Sequence, residues 1–376
     1  MLLQLAGAAA LAIWIYLLLG RGGFWHMRDA SPVGALPAAA PGVVAVIPAR
    51  NEALVVARAI GSLARQRYPG EFHAVLVDDD SFDGTADVAR GAAPAGLLEV
   101  VRAGPVPAGW TGKLWAASEG IRAAQHFQAE YLLLTDADIV HSPGNLSALV
   151  ARARSRGYDM VSFMATLECR TFAERALIPA FVFFFLMLYP PAWISSLRRG
   201  TAAAAGGCIL IRRDMLERVG GLAAIRGQVI DDCALARAVR RQGGRVWLGL
   251  SAATRSVRGY ATWGEIGRMI SRSAFAQLHH SVWLLIGTLL GLALTYMAPP
   301  ALAIAARGPA AALGAAAWLL MSVAYFPALR FYRRSPLWAP LLPAIAAFYL
   351  VATIHSAISY WRGAGGMWKG RVQDGA

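Results

Sequence analysis

Apolar and polar positions change their period along this chain. Leu2 to Leu19 is an uncharged apolar run of near-spanning length. No Lys or Arg precedes it, and no small-residue cleavage site lies before Arg21, so it reads as a retained anchor rather than a signal peptide. Residues 29 to 42, rich in Pro and Ala, read as a linker. From 43 to 260, short apolar runs alternate with helical spacing, the pattern of an α/β domain built on a parallel sheet. VVAVI (43–47), HAVLVD (73–78), LLEVVR (97–102) and YLLLTD, which ends at Asp136, are predicted strands. Ala53 to Ala64, Asp83 to Arg90 and Lys113 to Phe127 are predicted helices between them.

The far end is apolar again. Val282 to Ala306, Ala310 to Leu329 and Leu337 to Trp361 are candidate spans. Leu177 to Leu197 is also long enough, but Pro190 and Pro191 break its helix, so it reads as interfacial or re-entrant. Arg21 and Arg28 place the segment after the anchor in the cytoplasm. Two crossings then return Arg330, Arg333 and Arg334 to that side, as the same rule prefers. A third would put Arg362, Lys369 and Arg371 outside, against the rule. Either one stretch is a re-entrant hairpin or the tail is an exception. The expected location is the inner, cytoplasmic membrane, multi-pass, with the α/β domain facing the cytoplasm.

Composition narrows the class. The 376 residues are 57% hydrophobic and 15% charged, against about 25% charged in soluble domains. A purely soluble enzyme and a disordered protein are both excluded. The net charge is +14, and all but two of the 36 basic residues are arginine. With these apolar runs and no nucleic-acid motif, the surplus points to an anionic membrane face. Cys169, Cys208 and Cys233 form no CxxC pair, which argues against a disulfide scaffold or zinc site.

The chemistry-bearing residues stand at predicted strand ends, where open α/β sheets bind ligands. Asp78, Asp79 and Asp80 follow the second strand, and Asp136 and Asp138 form a DxD after the fourth. Carboxylate pairs of this kind hold hard cations jointly with nucleotide phosphates. Asp83 also reads as an N-cap, and Asp231 with Asp232 as acids favoured at a helix N-terminus.

VVAVIPARNEA, VLVDDDSFDGTADVA and LLLTDAD resemble the nucleotide-binding half of family 2 glycosyltransferases with the GT-A fold. GWTGK (109–113), GGCILIRRDMLERVGG (206–221) and VIDDCALARAVRRQGGRV (229–246) continue the likeness in order, over about residues 43 to 275. The layout is closer to membrane-bound members that act on lipids. RSVRGYATWGEIGRMISRSAFAQL (255–278) resembles the hopanoid-biosynthesis-associated ones.

The resemblance implies an α/β GT-A fold with one N-terminal and about three C-terminal transmembrane helices. It divides the chain into an anchor (1–20), a linker (21–42), a nucleotide-sugar half (43–150), an acceptor half with interfacial helices (151–280), C-terminal spans (281–362) and a basic tail (363–376). It implies Pro48, Asn51 and Glu52 along the nucleotide, Asp79 with Asp78 at the base, and Lys113 near nucleotide or sugar. Asp136 would reach the ribose, and Asp138, with Asp136, would hold Mg2+ or Mn2+ on the diphosphate. Asp232 would be the general base, with Asp231 standing where Glu is usual. The Arg-Trp pair that clamps the diphosphate in many members is missing after Asp232. Arg268 and Arg272, four apart on one helical face, are its nearest counterparts, or else belong to a basic interfacial helix. Trp368 to Arg371 resembles a terminal motif of some membrane relatives.

The expected activity is inverting transfer of a sugar from a nucleotide donor, a UDP-sugar by resemblance, to a lipid. A polyprenyl-phosphate acceptor and a non-catalytic scaffold with a degenerate domain are alternatives. The surviving acids argue against the scaffold, and PARNEA in place of a Gly-rich loop argues against a nucleotidyltransferase. Three spans are few for a processive polymerase.

Overall fold

The computed structural model describes residues 1–30 and 40–366. Residues 31–39 of the predicted linker, and Trp368, Lys369 and Arg371 of the predicted tail, lie outside the described residues. Helix α1 (Leu2–Leu19) is followed by β1 (Val43–Ala49), α2 (Ala53–Ala64), β2 (Phe72–Asp78), α3 (Thr85–Gly91), β3 (Leu98–Arg102), α4 (Gly112–Ala123) and β4 (Tyr131–Thr135). These four strands pair in parallel in the order β3-β2-β1-β4. Every residue of β1 is buried, because helices cover both sheet faces. Alternation sorts its side chains: Val44 and Val46 pack on the α4 side, Val43, Ala45 and Ile47 on the α2 side.

Past β4 the sheet departs from the expected parallel pattern. β5 (Ile139–His141), α5 (Asn145–Arg156), β6 (Met160–Thr166), α6 (Phe172–Leu188), the one-turn α7 (Pro191–Ile194), β7 (Cys208–Arg212), α8 (Arg213–Val219), α9 (Asp231–Arg241) and β8 (Val246–Ser256) follow. The sheet continues β4-β7-β6-β8-β5. β7 is antiparallel to β4 and β6, and β5 is antiparallel to β8. A short, fully apolar run such as Cys208–Ile211 carries burial but no direction, so its sequence pattern could not reveal the reversal. β8 slips register against β6, from Ala165↔Ser251 to Thr166↔Arg255, and there turns to pair with β5. Such irregularities re-aim side chains near functional sites.

The last elements are α10 (Trp263–Gln277), α11 (Val282–Leu292), α12 (Ala298–Ala305), α13 (Pro309–Phe331) and α14 (Leu342–Trp361). Among the described residues, five stretches are long and apolar enough to cross a membrane: Leu2–Leu19, Phe172–Ile194, Val282–Ala305, Pro309–Phe331 and Pro336–Trp361. α1 packs on α12 and α13, with Trp14 Nε1 donating to the Thr295 carbonyl at 2.8 Å. α6 stops at Leu188 and Pro191 opens α7, as the proline pair predicts. Both ends of this segment touch the α/β domain or its exit loop. Thr171 Oγ1 donates to the Tyr260 carbonyl at 3.1 Å, and Arg240 donates to the Ile194 carbonyl. α14 runs beside α10, with ring contacts Trp263–Phe348 at 5.8 Å and Phe275–Tyr360 at 5.5 Å. Its Tyr360 stacks at 4.0 Å on His280, just before α11.

Candidate active site

The loops after β1 and β2 are stitched into one unit. Three successive backbone N–H groups at the start of α2 find side-chain acceptors across the gap. Asn51 donates to Ser81 Oγ at 3.0 Å, Glu52 to Thr85 Oγ1 at 2.8 Å and Ala53 to Asp83 Oδ2 at 3.0 Å. The last two are helix-end donors that need capping. Asn51, in the left-handed region at φ 51°, returns an acceptor to Phe82 N–H at 3.1 Å. The expected N-cap role of Asp83 is therefore corrected. Gly84 holds that position of α3 at φ 83°, while Asp83 accepts from Ala53 at α2 and from Thr85 at α3. Asp79 is buried at 2% exposure. Arg50 Nη1 donates to its carbonyl at 2.5 Å and lies 3.7 Å from its carboxylate. Pro48 is the next-to-last residue of β1, paired with Val77.

Across the sheet, Lys113 is placed by a cap. Thr111 Oγ1 accepts from Leu114 N–H at 3.3 Å and starts α4, so that Lys113 stands in its first turn. Its Nζ lies 2.9 Å from Asp136 Oδ1 and 3.4 Å from Asp231 Oδ2. Asp231 and Asp232 open α9, where the helix dipole favours acids. Asp232 Oδ2 accepts the Gly206 N–H at 2.8 Å, and Oδ1 accepts the Cys233 N–H at 2.6 Å. Pro48, Lys113, Asp136, Gly206, Asp231 and Asp232 line one hollow with an apolar floor that includes Leu222 and Leu235.

Charge is unevenly shared in that hollow. Burial pulls the Lys113 ammonium down, but Asp136 and Asp231 outweigh it and hold it protonated. Burial pushes Asp136 up, opposed by Lys113 and reinforced by Asp138. Asp232 is pushed up to about 6 by burial and by Asp231, against the two N–H donors and Lys113. A carboxyl with that value is a competent base near neutral pH.

Asp138 faces a different cation. Arg258 Nε donates to Asp138 Oδ2 at 3.2 Å, beside Ser256 Oγ at 2.9 Å. Arg258 Nη2 reaches both oxygens of Glu52, at 2.5 and 2.6 Å. The sequence reading missed Arg258 and Arg50. Their signals were position: Arg258 follows β8 by two residues, and Arg50 sits within PARNEA. Arg268 and Arg272 are exposed on α10, and the ion pairs of the acidic cluster run to Lys113 and Arg258 instead.

Among the described residues, no three His, Cys, Asp or Glu side chains form a ready-made cation cage. Two carboxylates on one strand-end turn, Asp136 and Asp138, still fit a cation of the Mg2+ type. Such ions take one or two protein carboxylates and complete their shell with phosphate oxygens and water.

A family model described as "Glycosyltransferase like family 2" matches residues 41–276. No curated protein sequence matches the chain. Among solved structures, the mannosyltransferase PcManGT from Pyrobaculum calidifontis, in complex with GDP-Man and Mn2+, is similar at 21% identity and TM-score 0.58, over 95% of this chain and 99% of that one. S. aureus TarS 1–349 with UDP-GlcNAc is matched at 14% identity and TM-score 0.40, over 88% of this chain and 95% of that one. Glucosyl-3-phosphoglycerate synthase from Mycobacterium tuberculosis, with Mg2+ and UDP, is matched at 16% identity and TM-score 0.42, over 64% of this chain and 79% of that one.

Proposed function

We propose that this chain, which belongs to the glycosyltransferase like family 2, moves a sugar with inversion from a nucleoside-diphosphate donor to the hydroxyl of a membrane lipid. The observation that carries this reading is Asp232. It is a buried carboxyl raised to about 6, fixed by two N–H groups and set opposite Lys113 and the DxD turn. Asp79 and Arg50 at the β1–β2 ends suit the base of the nucleotide. Asp136 and Asp138 would hold the divalent cation, which supplies neutralisation of the leaving diphosphate when bound. Lys113 keeps Asp136 and Asp231 in place and leaves Asp232 free to take the acceptor proton. The Pyrobaculum calidifontis mannosyltransferase in complex with GDP-Man and Mn2+ supports this donor and cation class.

The layout supports a membrane acceptor. α1, α11–α12 and α13 are proposed to cross, with the α/β domain on the cytoplasmic side. Met1 and Gln4 share a surface hollow with Arg307 and Ala310, so these helix ends meet, and on this reading they are the outer ones. Pro336–Trp361 begins just after α13 and ends against His280, just before α11. Those two points flank an out-and-back hairpin and so lie on one side. The segment is thus proposed as re-entrant, which keeps Arg362 with Arg330, Arg333 and Arg334 and removes the conflict with the positive-inside rule. α6 is likewise proposed to return to the side it leaves, supported by the bonds that tie both its flanks to the α/β domain or its exit loop. Its far end meets α10 through Tyr189 Oη, which donates to Gln277 Oε1 at 2.9 Å. The likeness of residues 255–278 to hopanoid-associated members makes a triterpenoid alcohol the first acceptor to try.

The test is a donor screen with purified enzyme, Mn2+ and lipid extract, reading nucleoside diphosphate release and product mass for UDP- and GDP-sugars. No lipid-dependent release with any donor would refute the reading. Cysteine labelling at positions 170, 212 and 362 tests the topology. Labelling from opposite sides would defeat it.

A further inference from the structure

The loop 257–262 connects the acidic turn to the interfacial helices. Val257 N–H donates to the Asp138 carbonyl at 2.9 Å. Arg258 bridges Asp138 and Glu52. Tyr260 N–H donates to Glu174 Oε1 at 2.6 Å, and Glu174 is the capping-box acid of α6. Thr262 then caps α10. Asp138 Oδ2 already holds two donors, Ser256 Oγ and Arg258 Nε. The Asp138 and Glu52 side chains are only 13% and 10% exposed, so two shielded carboxylates share one guanidinium. Burial works against that guanidinium's charge, but Asp138 and Glu52 outweigh it.

We propose that Arg258 is a built-in counter-cation, seated on Asp138 in the resting enzyme and displaced from it when a divalent cation binds. It is a positioning residue, anchored on Glu52, whose movement links metal occupancy to loop 257–262 and so to the start of α10. The inference rests on the reading of Asp138 as a metal ligand. A guanidinium and a divalent cation repel each other and compete for the same oxygen. Metal affinity is then reduced by the fraction of time Asp138 is free. A free fraction of 1–10% weakens binding about 10- to 100-fold.

The test uses the full chain in detergent, Mn2+ without nucleotide, and electron paramagnetic resonance to count free Mn2+. Hydrogen exchange of the 257–262 amides is followed in parallel. Arg258→Met is expected to bind Mn2+ about tenfold tighter or more than wild type, with Arg258→Lys between them. Mn2+ should speed exchange of these amides in wild type and change little in Arg258→Met, where they are already loosened. Mn2+ affinity that does not rise in a folded Arg258→Met protein overturns the inference. Should that variant not fold, unchanged affinity in Arg258→Lys overturns it equally. Asp138→Ala separates the two readings. If it keeps wild-type Mn2+ binding, the metal assignment falls and takes this inference with it. If it loses Mn2+ while the Arg258 variants match wild type, the displacement alone falls.

Discussion

The DxD turn divides its two carboxylates between two corners that solve the same electrostatic problem differently. At one corner, Asp138 and Glu52 share the planar fork of Arg258. At the other, Asp136, Asp231 and Asp232 surround the single ammonium of Lys113. Two carboxylates on a guanidinium leave one unbalanced negative charge, and three on an ammonium leave two. Burial then raises both Asp136 and Asp232. Asp232, with Asp231 beside it, rises to about 6 while backbone N–H groups hold its orientation. The first corner thus suits holding a cation and the second suits accepting a proton, although both hang from residues 136 to 138.

The sharpest break of this comparison is Asp138→Ala. It should abolish transfer and metal-dependent donor binding while the fold persists, a loss of about 10^3-fold or more. Turnover that persists in excess EDTA in the wild type would remove the metal role. Asp232→Asn should come next, lowering kcat by about 10^2- to 10^4-fold with little change in donor Kd. Wild-type kcat should fall as pH drops through about 6, because the base becomes protonated there, and the Asn variant should lack that limb. Near wild-type turnover by Asp232→Asn would move the acceptor from a hydroxyl to a phosphate, which is already an anion.

Lys113→Met sharpens the second corner. Lys113 lowers the Asp232 value, so its removal should raise it and shift the acid limb to higher pH by about one unit or more. The limb staying near 6 would mean that Lys113 serves the donor and not the base. The sign for stability is separate. A carboxyl raised in the fold opposes folding once pH passes its unfolded value, so this group disfavours the native state most above about 6.

The first four strands were legible because a buried parallel strand declares itself as an apolar run bounded by helical spacing. The acids were legible because their strand-end places recur in one order. The antiparallel β7 and β5 were not, since apolar runs carry no direction. Arg258 was not either. Its partners Glu52 and Asp138 lie 206 and 120 residues away, and the stretch of β8 that leads to it pairs with β5 after a register slip. Arg268 and Arg272 were readable because their spacing of four is a local, helical pattern, and local patterns are what a sequence displays.

The smallest expected effect tests whether the corners are independent. Asp83 touches neither cation in the comparison, yet it supports Glu52 from behind by accepting the N–H of Ala53, the next residue. Burial pushes its carboxyl up, but the Thr85 hydroxyl and the Ala53 and Thr85 N–H groups together outweigh it, so the value is lowered. A lowered acid stabilises the fold above its unfolded value of about 4 and loses that contribution as pH falls below it. Asp83→Ala removes a capping acceptor, which should cost about 1 kcal/mol and lower Tm by about 2–4 °C. The cost should shrink when the unfolding is repeated near pH 3. The α2 terminus that carries Glu52 should loosen, and the Glu52–Arg258 corner with it, while Asp232 lies on α9 and depends on Gly206 and Cys233. The acid limb of the pH–rate profile should therefore stay near 6 in this variant. A limb that moves with Asp83→Ala would show that the two corners are coupled through the DxD turn rather than set by their separate cations.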